Sequence, residues 1–271
     1  ITPLRERNIW IRSFGSDQLV SERRLTSLRM VVYLSSQHAL STGAACQRCT
    51  RRLSSLARPL SASTRKLLAD TGALVPIIKG PMYPGSNPEL VAAVSEAGAF
   101  GVVQPISLTH LYGHDFREGL RLIKSLTDRP FGCNFTIVEN ARYQRQMDEW
   151  MEIAVDEGVK FFLTSLGKPD KIVRFAEAHA VKVYHDVHTP QVAKKAADAG
   201  VHGLNVLNSS MGGQTGNRDA KTFIDELQAA GFELPCVQAG GVGDAEDFAE
   251  ALALGYAGAQ LGTRFLATHE T

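Results

Sequence analysis

The feature that most limits the fold of this chain is an alternation that begins at residue 75. Eight short runs rich in β-branched and aromatic residues occupy 75–82, 100–104, 131–137, 160–165, 182–187, 203–207, 235–241 and 258–265. Between them lie seven longer segments whose apolar residues recur at three and four positions, the period of a helix with one buried face. Short connections between each strand and the next helix require successive strands to run parallel, and eight parallel strands close most naturally into a TIM (β/α)8 barrel. An open doubly wound sheet is the alternative, but no GxGxxG follows the first run.

Element boundaries carry their own chemistry. Asn87 precedes Pro88 and Thr189 precedes Pro190, each pair offering a capping side chain followed by a preset φ. Gly98, Gly158, Gly200, Gly231 and Gly255 each follow a helical run, where the chain often needs positive φ. After the eighth strand only LATHET remains, so the barrel is expected with its eighth helix and any C-terminal cap truncated. A parallel strand left bare exposes apolar surface. The reading is that the N-terminal segment or a partner covers it, or that the sequence is cut short.

Residues 1–66 carry twelve Lys or Arg against the acids Glu6, Asp17 and Glu22. The division expected is therefore a basic, Ser/Arg-rich extension over 1–70, poorly ordered or resembling a transit segment, and a barrel over 71–271. The chain starts at Ile1 rather than Met, which is read as a fragment, with Met30 an internal start. A net charge of +1 gives no case for a nucleic-acid partner, and no run reaches the roughly 18 apolar residues of a membrane span. Cys46 and Cys49 form one CxxC without a second ligand pair, so no metal is expected. Cys133 and Cys236 sit in apolar runs, as buried thiols do. The setting expected is reducing and cytoplasmic, or mitochondrial if the basic segment is a transit peptide. Oligomeric state is left open.

In such barrels reactive groups gather at the carboxyl ends of the strands. Those positions hold Gly80, Pro81 and Met82; Gln104; Asn134 and Thr136; Asp186 and His188; Met211 through Gly216; Gly240 and Gly241; Gly262 and Thr263. Glycines after strands seven and eight let backbone amides approach an anion, which points to a phosphate; the plain alternative is that they only turn the chain. Asn134 and Thr136, two apart, share a strand face and either meet a planar ligand together, or Asn134 caps its own loop while Thr136 packs. His185 and Asp186 project to opposite faces, which argues against an acid-base pair.

GPM (80–82), SNPELVAAVSEAG (86–98), PFGCNFTI (130–137), GGQTG (212–216), AGGVGD (239–244) and ALALGYAGAQLGTRFLAT (251–268) together resemble the nitronate monooxygenase family, also called the 2-nitropropane dioxygenase-like flavoproteins. The resemblance implies FMN as cofactor and an oxidoreductase that oxidises an alkyl nitronate, a small molecule, with O₂. It also implies that Pro81 and Met82 lie along the flavin ring, that Asn134 and Thr136 hydrogen-bond it, and that Gly213, Gly240, Gly241, Gly262 and Thr263 hold its phosphate side. Gln214 stands where many relatives have a His that serves as general base, so it can orient a substrate but not deprotonate one. Asp186 stands where some quinone-reducing relatives have a Lys, and relatives continue past GTRFLAT with further helices. The alternatives are an NAD(P)H-dependent flavin oxidoreductase that reduces quinones or enoyl thioesters, and a truncated or inactive flavin-binding fragment.

Overall fold

A computed structural model describes residues 59–271. The basic stretch before residue 59, with Met30, Cys46 and Cys49, lies outside the described residues. Strands β1 (Ile77–Lys79), β2 (Phe100–Val103), β3 (Phe131–Thr136), β4 (Phe161–Ser165), β5 (Lys182–Val187), β6 (Gly203–Leu207), β7 (Cys236–Ala239) and β8 (Gly258–Leu261) pair in parallel in chain order. Ile78 of β1 lies opposite Gln260 of β8, which closes the barrel. Strands β1, β7 and β8 are shorter than their apolar runs suggest, because the chain leaves the sheet at Gly80, Gly240 and Gly262.

Helix α1 (Ala62–Thr71) precedes the barrel, and α2 (Pro88–Glu96), α3 (Phe116–Leu126), α4 (Ala141–Asp156), α5 (Asp170–Ala178), α6 (Pro190–Asp198), α7 (Ala220–Ala229) and α8 (Ala245–Leu254) follow β1 through β7 in turn. Helix starts obey local chemistry. Asn87 accepts the Leu90 amide at 2.7 Å and Thr189 accepts the Val192 amide at 3.2 Å, while Asp244 and Asp247 form a capping box on α8. Gly98, Gly158, Gly200, Gly231 and Gly255 all have positive φ.

Strand residues alternate between two cores. Outward side chains such as Phe135, Phe162, Val183 and Val206 pack under the helices with Trp150, Ile172 and Phe223. Inward ones, Ile78, Phe100, Val102, Phe161, Leu163, Tyr184 and Val237, form a separate cluster inside the barrel. Leu67 of α1, 1% exposed, enters that inner cluster from the amino-terminal end. The Tyr184 hydroxyl donates to Asp70 Oδ2 at 3.1 Å and ties α1 to the floor. The boundary drawn at residue 70 therefore falls inside an ordered helix that belongs to the barrel. That helix plugs the floor; it does not lie over β8. On the outside of β8, Ala259 packs with Val242, Phe248 and Ala251, and Leu261 is only half-buried.

Candidate active site

Above the apolar floor the inward positions turn polar. Asn134 on β3, Ser165 on β4, Asp186 on β5, Asn205 on β6 and Gln260 on β8 are joined by one chain of hydrogen bonds. Asn134 Nδ2 donates to Ser165 Oγ at 3.0 Å, and Ser165 Oγ donates to Asp186 Oδ2 at 2.8 Å. Asn205 Nδ2 donates to Asp186 Oδ1 at 2.6 Å and to Gln260 Oε1 at 3.2 Å. Asn205 Oδ1 is buried and has no hydrogen-bond partner among the described residues, and such an unmet acceptor costs about 1–3 kcal/mol. A donor on a bound ligand would relieve it.

Asn134 does not cap its own loop. Its amide bonds across to β4, at Leu163 O (3.1 Å) as well as Ser165, while Thr136 meets Tyr143 of α4. His185, on the opposite face from Asp186, lies 2.8 Å from Thr164 Oγ1, and burial, with a smaller contribution from His188, lowers its pKa to about 4. His188 itself is exposed. Burial pushes the Asp186 carboxyl up to about 6, against the opposing hydrogen bonds from Asn205 and Ser165.

The glycine loops converge on one side of this layer. Gly240 has φ 110°, and a Cβ there would sit 2.5 Å from Asn208 Oδ1 and 2.6 Å from the Met211 amide nitrogen. Asn208 Nδ2 donates to Gly240 O at 2.9 Å and so fastens the loop after β6 to the loop after β7. A Cβ on Gly241 would lie 3.2 Å from Ser210, one on Gly212 3.3 Å from Thr263 Oγ1, and one on Gly262 3.4 Å from Met82 Sδ. Met82, Gly240, Gly241, Gly262 and Thr263 are thereby neighbours, with Gly213 beside Gly212. Gly213 and Gln214 are exposed at the tip of the β6 loop.

Met82 is held by its backbone. Its amide donates to Ser86 Oγ at 2.8 Å, and Ser86 Oγ also accepts from Lys79 Nζ at 2.6 Å. Lys79 is fully buried outside the sheet, and burial lowers its pKa to about 7. Ser107, in a π-helical turn (Ser107–Leu111) after β2, donates to Met82 O at 3.4 Å. Beside the mouth a cleft of about 560 Å³ is lined by His110, Asn140, Arg142, Tyr143 and Arg145. Among the described residues no three His, Cys, Asp or Glu side chains gather as a metal would need.

Ser165, Asn205, Gln260 and Lys79 were not among the candidates that strand ends suggested. A signal for two of them exists: a single amide inside GLNVL and inside GAQLG, at the inward phase of an otherwise apolar strand.

A family model for nitronate monooxygenase matches residues 65–271, which takes in most of α1, all eight strands and both glycine loops. The chain belongs to the nitronate monooxygenase family. Among curated relatives, a nitronate monooxygenase of Paraburkholderia phytofirmans is 28% identical, with 76% of this chain and 67% of that protein covered. A Rhodococcus jostii protein named as a (3aS,4S,5R,7aS)-5-hydroxy-7a-methyl-1-oxo-octahydro-1H-indene-4-carboxyl-CoA dehydrogenase is also 28% identical, over 74% of this chain. The chain spans about half of that dehydrogenase, 54% of its length. Among solved structures, FabK from Thermotoga maritima superposes with a TM-score of 0.66 at 27% identity, covering 76% of this chain and 63% of FabK. Members of the nitronate monooxygenase family are oxidoreductases. Within the family model's span, no helix is long and apolar enough to cross a membrane.

Proposed function

We propose that this chain is the barrel of an FMN-dependent oxidoreductase that oxidises alkyl nitronates with O₂. The observation that carries the reading is the convergence of Met82, Gly240, Gly241, Gly262 and Thr263 beside a polar layer that contains an unmet buried acceptor. Those residues fit the cofactor. Gly240, Gly241, Gly262 and Thr263, with Gly213, would hold the phosphate side through backbone amides and a hydroxyl. Pro81 and Met82 would supply an apolar edge, and Asn134 and Thr136 hydrogen bonds. The bound flavin would supply the two-electron chemistry.

The protein's own contribution is position and charge. Gln214 has no useful proton affinity, so the substrate that suits this site is one that arrives already deprotonated, as a nitronate does. Arg142 and Arg145, which line the cleft with Tyr143 and outnumber its acid Glu149, favour the approach of an anion. A visible spectrum of the purified protein, followed by nitronate addition under anaerobic conditions, tests the reading. Flavin absorbance that bleaches with nitronate and returns with air is expected. A colourless protein that takes up no added FMN overturns it.

A second reading keeps the flavin and draws hydride from NAD(P)H to reduce a quinone or an enoyl thioester. It is favoured by the similarity to FabK and to a dehydrogenase named for a CoA thioester. Anaerobic bleaching by NAD(P)H without nitronate supports this reading over the first.

A further inference from the structure

We infer that Asp186 takes up a proton when the flavin binds, so that cofactor affinity is coupled to pH through this one carboxyl. The inference rests on the flavin reading above and adds to it the protonation state of the layer beneath the ring. Asp186 points into the barrel, where its two oxygens are held by two neutral donors, Ser165 Oγ at 2.8 Å and Asn205 Nδ2 at 2.6 Å. Among the described residues the groups that meet it are uncharged. β4 presents Ser165 and β6 presents Asn205, while Asn134 and Gln260 complete the chain from β3 and β8. His185 faces the outer layer toward Thr164, Lys79 is turned outward to Ser86 and Val102 O, and His188 is exposed beyond the strand.

In the free protein the charged form is favoured by the hydrogen bonds from Asn205 and Ser165 and by the partial contact that the Asp186 residue keeps with solvent at the mouth. A planar ring laid over this layer removes that contact and brings no cation to replace it. An ionised carboxylate stripped of water without a counter-charge is far costlier than a neutral acid that retains its hydrogen bonds. Solvent therefore delivers a proton to Asp186 as the cofactor enters. The direction agrees with the already raised pKa of the free carboxyl, about 6.

The test is FMN titration of the protein and of Asp186→Asn by calorimetry, in buffers of different ionisation enthalpy, across pH 6 to 8. The FMN phosphate titrates equally in both experiments, so the difference between the two proteins isolates Asp186. The unaltered protein is expected to take up more protons per FMN than the variant at pH 7, by up to about one, and to lose up to about tenfold in affinity per pH unit above that. Riboflavin titration of the unaltered protein, with no ligand phosphate to titrate, checks the same uptake without relying on the variant. Equal proton uptake by two FMN-binding proteins overturns the inference and leaves the flavin reading standing. Failure of the unaltered protein to bind FMN at any pH overturns the flavin reading, and this inference with it.

Discussion

The floor and the mouth of this barrel are built from the same strands and opposite materials. At the floor, Phe161 stacks edge-on against Phe100 with ring centroids 4.9 Å apart and lies 5.0 Å from Tyr184, and Leu67 of α1 completes a dry cluster. Two residues further along each strand the character changes: Gly132 gives way to Asn134, Tyr184 to Asp186, Gly203 to Asn205 and Gly258 to Gln260. The floor has room for its rings because small residues oppose them. A Cβ on Gly203 would fall 2.3 Å from the Tyr184 ring, and one on Gly258 2.7 Å from Leu67. The contrast teaches that stability and chemistry are separated along the barrel axis, one pleat apart.

The strongest attempt to break that separation is Leu67→Ala. Emptying the plug is expected to cost about 2–5 kcal/mol in denaturant unfolding, while FMN affinity of the folded protein stays within about threefold, since Leu67 packs in the apolar cluster and not among the polar side chains of the mouth. A parallel loss of FMN affinity breaks the comparison. Lys79→Met probes the wall between the two ends. The Lys79 pKa is depressed in the fold, to about 7, so the unfolded chain binds the extra proton between pH 7 and the ordinary lysine range. Stability of the unaltered protein should therefore rise with pH above 7, by at most about 1.4 kcal/mol per unit, and the variant should lose that slope. Melting curves from pH 6 to 10 decide it.

Gly240→Ala addresses the mouth alone. It places a methyl against Asn208 and Met211 at a positive φ, so FMN binding should weaken by about tenfold or more and stability fall by about 1–3 kcal/mol. Gln214→His should have the smallest effect on stability, below about 0.5 kcal/mol, because the loop tip is exposed. Its consequence is chemical: turnover of a neutral nitroalkane should appear above about pH 6.5, where a histidine is free to accept a proton. Steady-state rates with a nitroalkane and its nitronate measure both.

Much of the barrel was legible from local signals. Proline-led helix starts at Asn87 and Thr189, and glycine ends at Gly98 or Gly255, depend on residues within one turn of each other. That Asn134 and Thr136 share one strand face, and that His185 and Asp186 take opposite ones, followed from strand alternation alone; which face is inward did not. The role of Ser165, Asn205 and Gln260 was hidden, because each matters only through partners on other strands, up to 55 residues away for Asn205 and Gln260. Lys79 reads as an ordinary strand residue, since nothing local reveals that its side chain reaches the neutral oxygens of Ser86 and Val102.

The amino-acid sequence by itself determined the order, number and polarity of the elements, because helix and strand periods, caps and turn glycines act over a few residues. Only the tertiary structure decided that α1 enters the floor, that five polar side chains join into one chain across the mouth, and that Met82 faces Gly262. Those are contacts between distant segments, and they exist only once β8 has paired with β1 and the closed barrel has fixed which side chains share its interior.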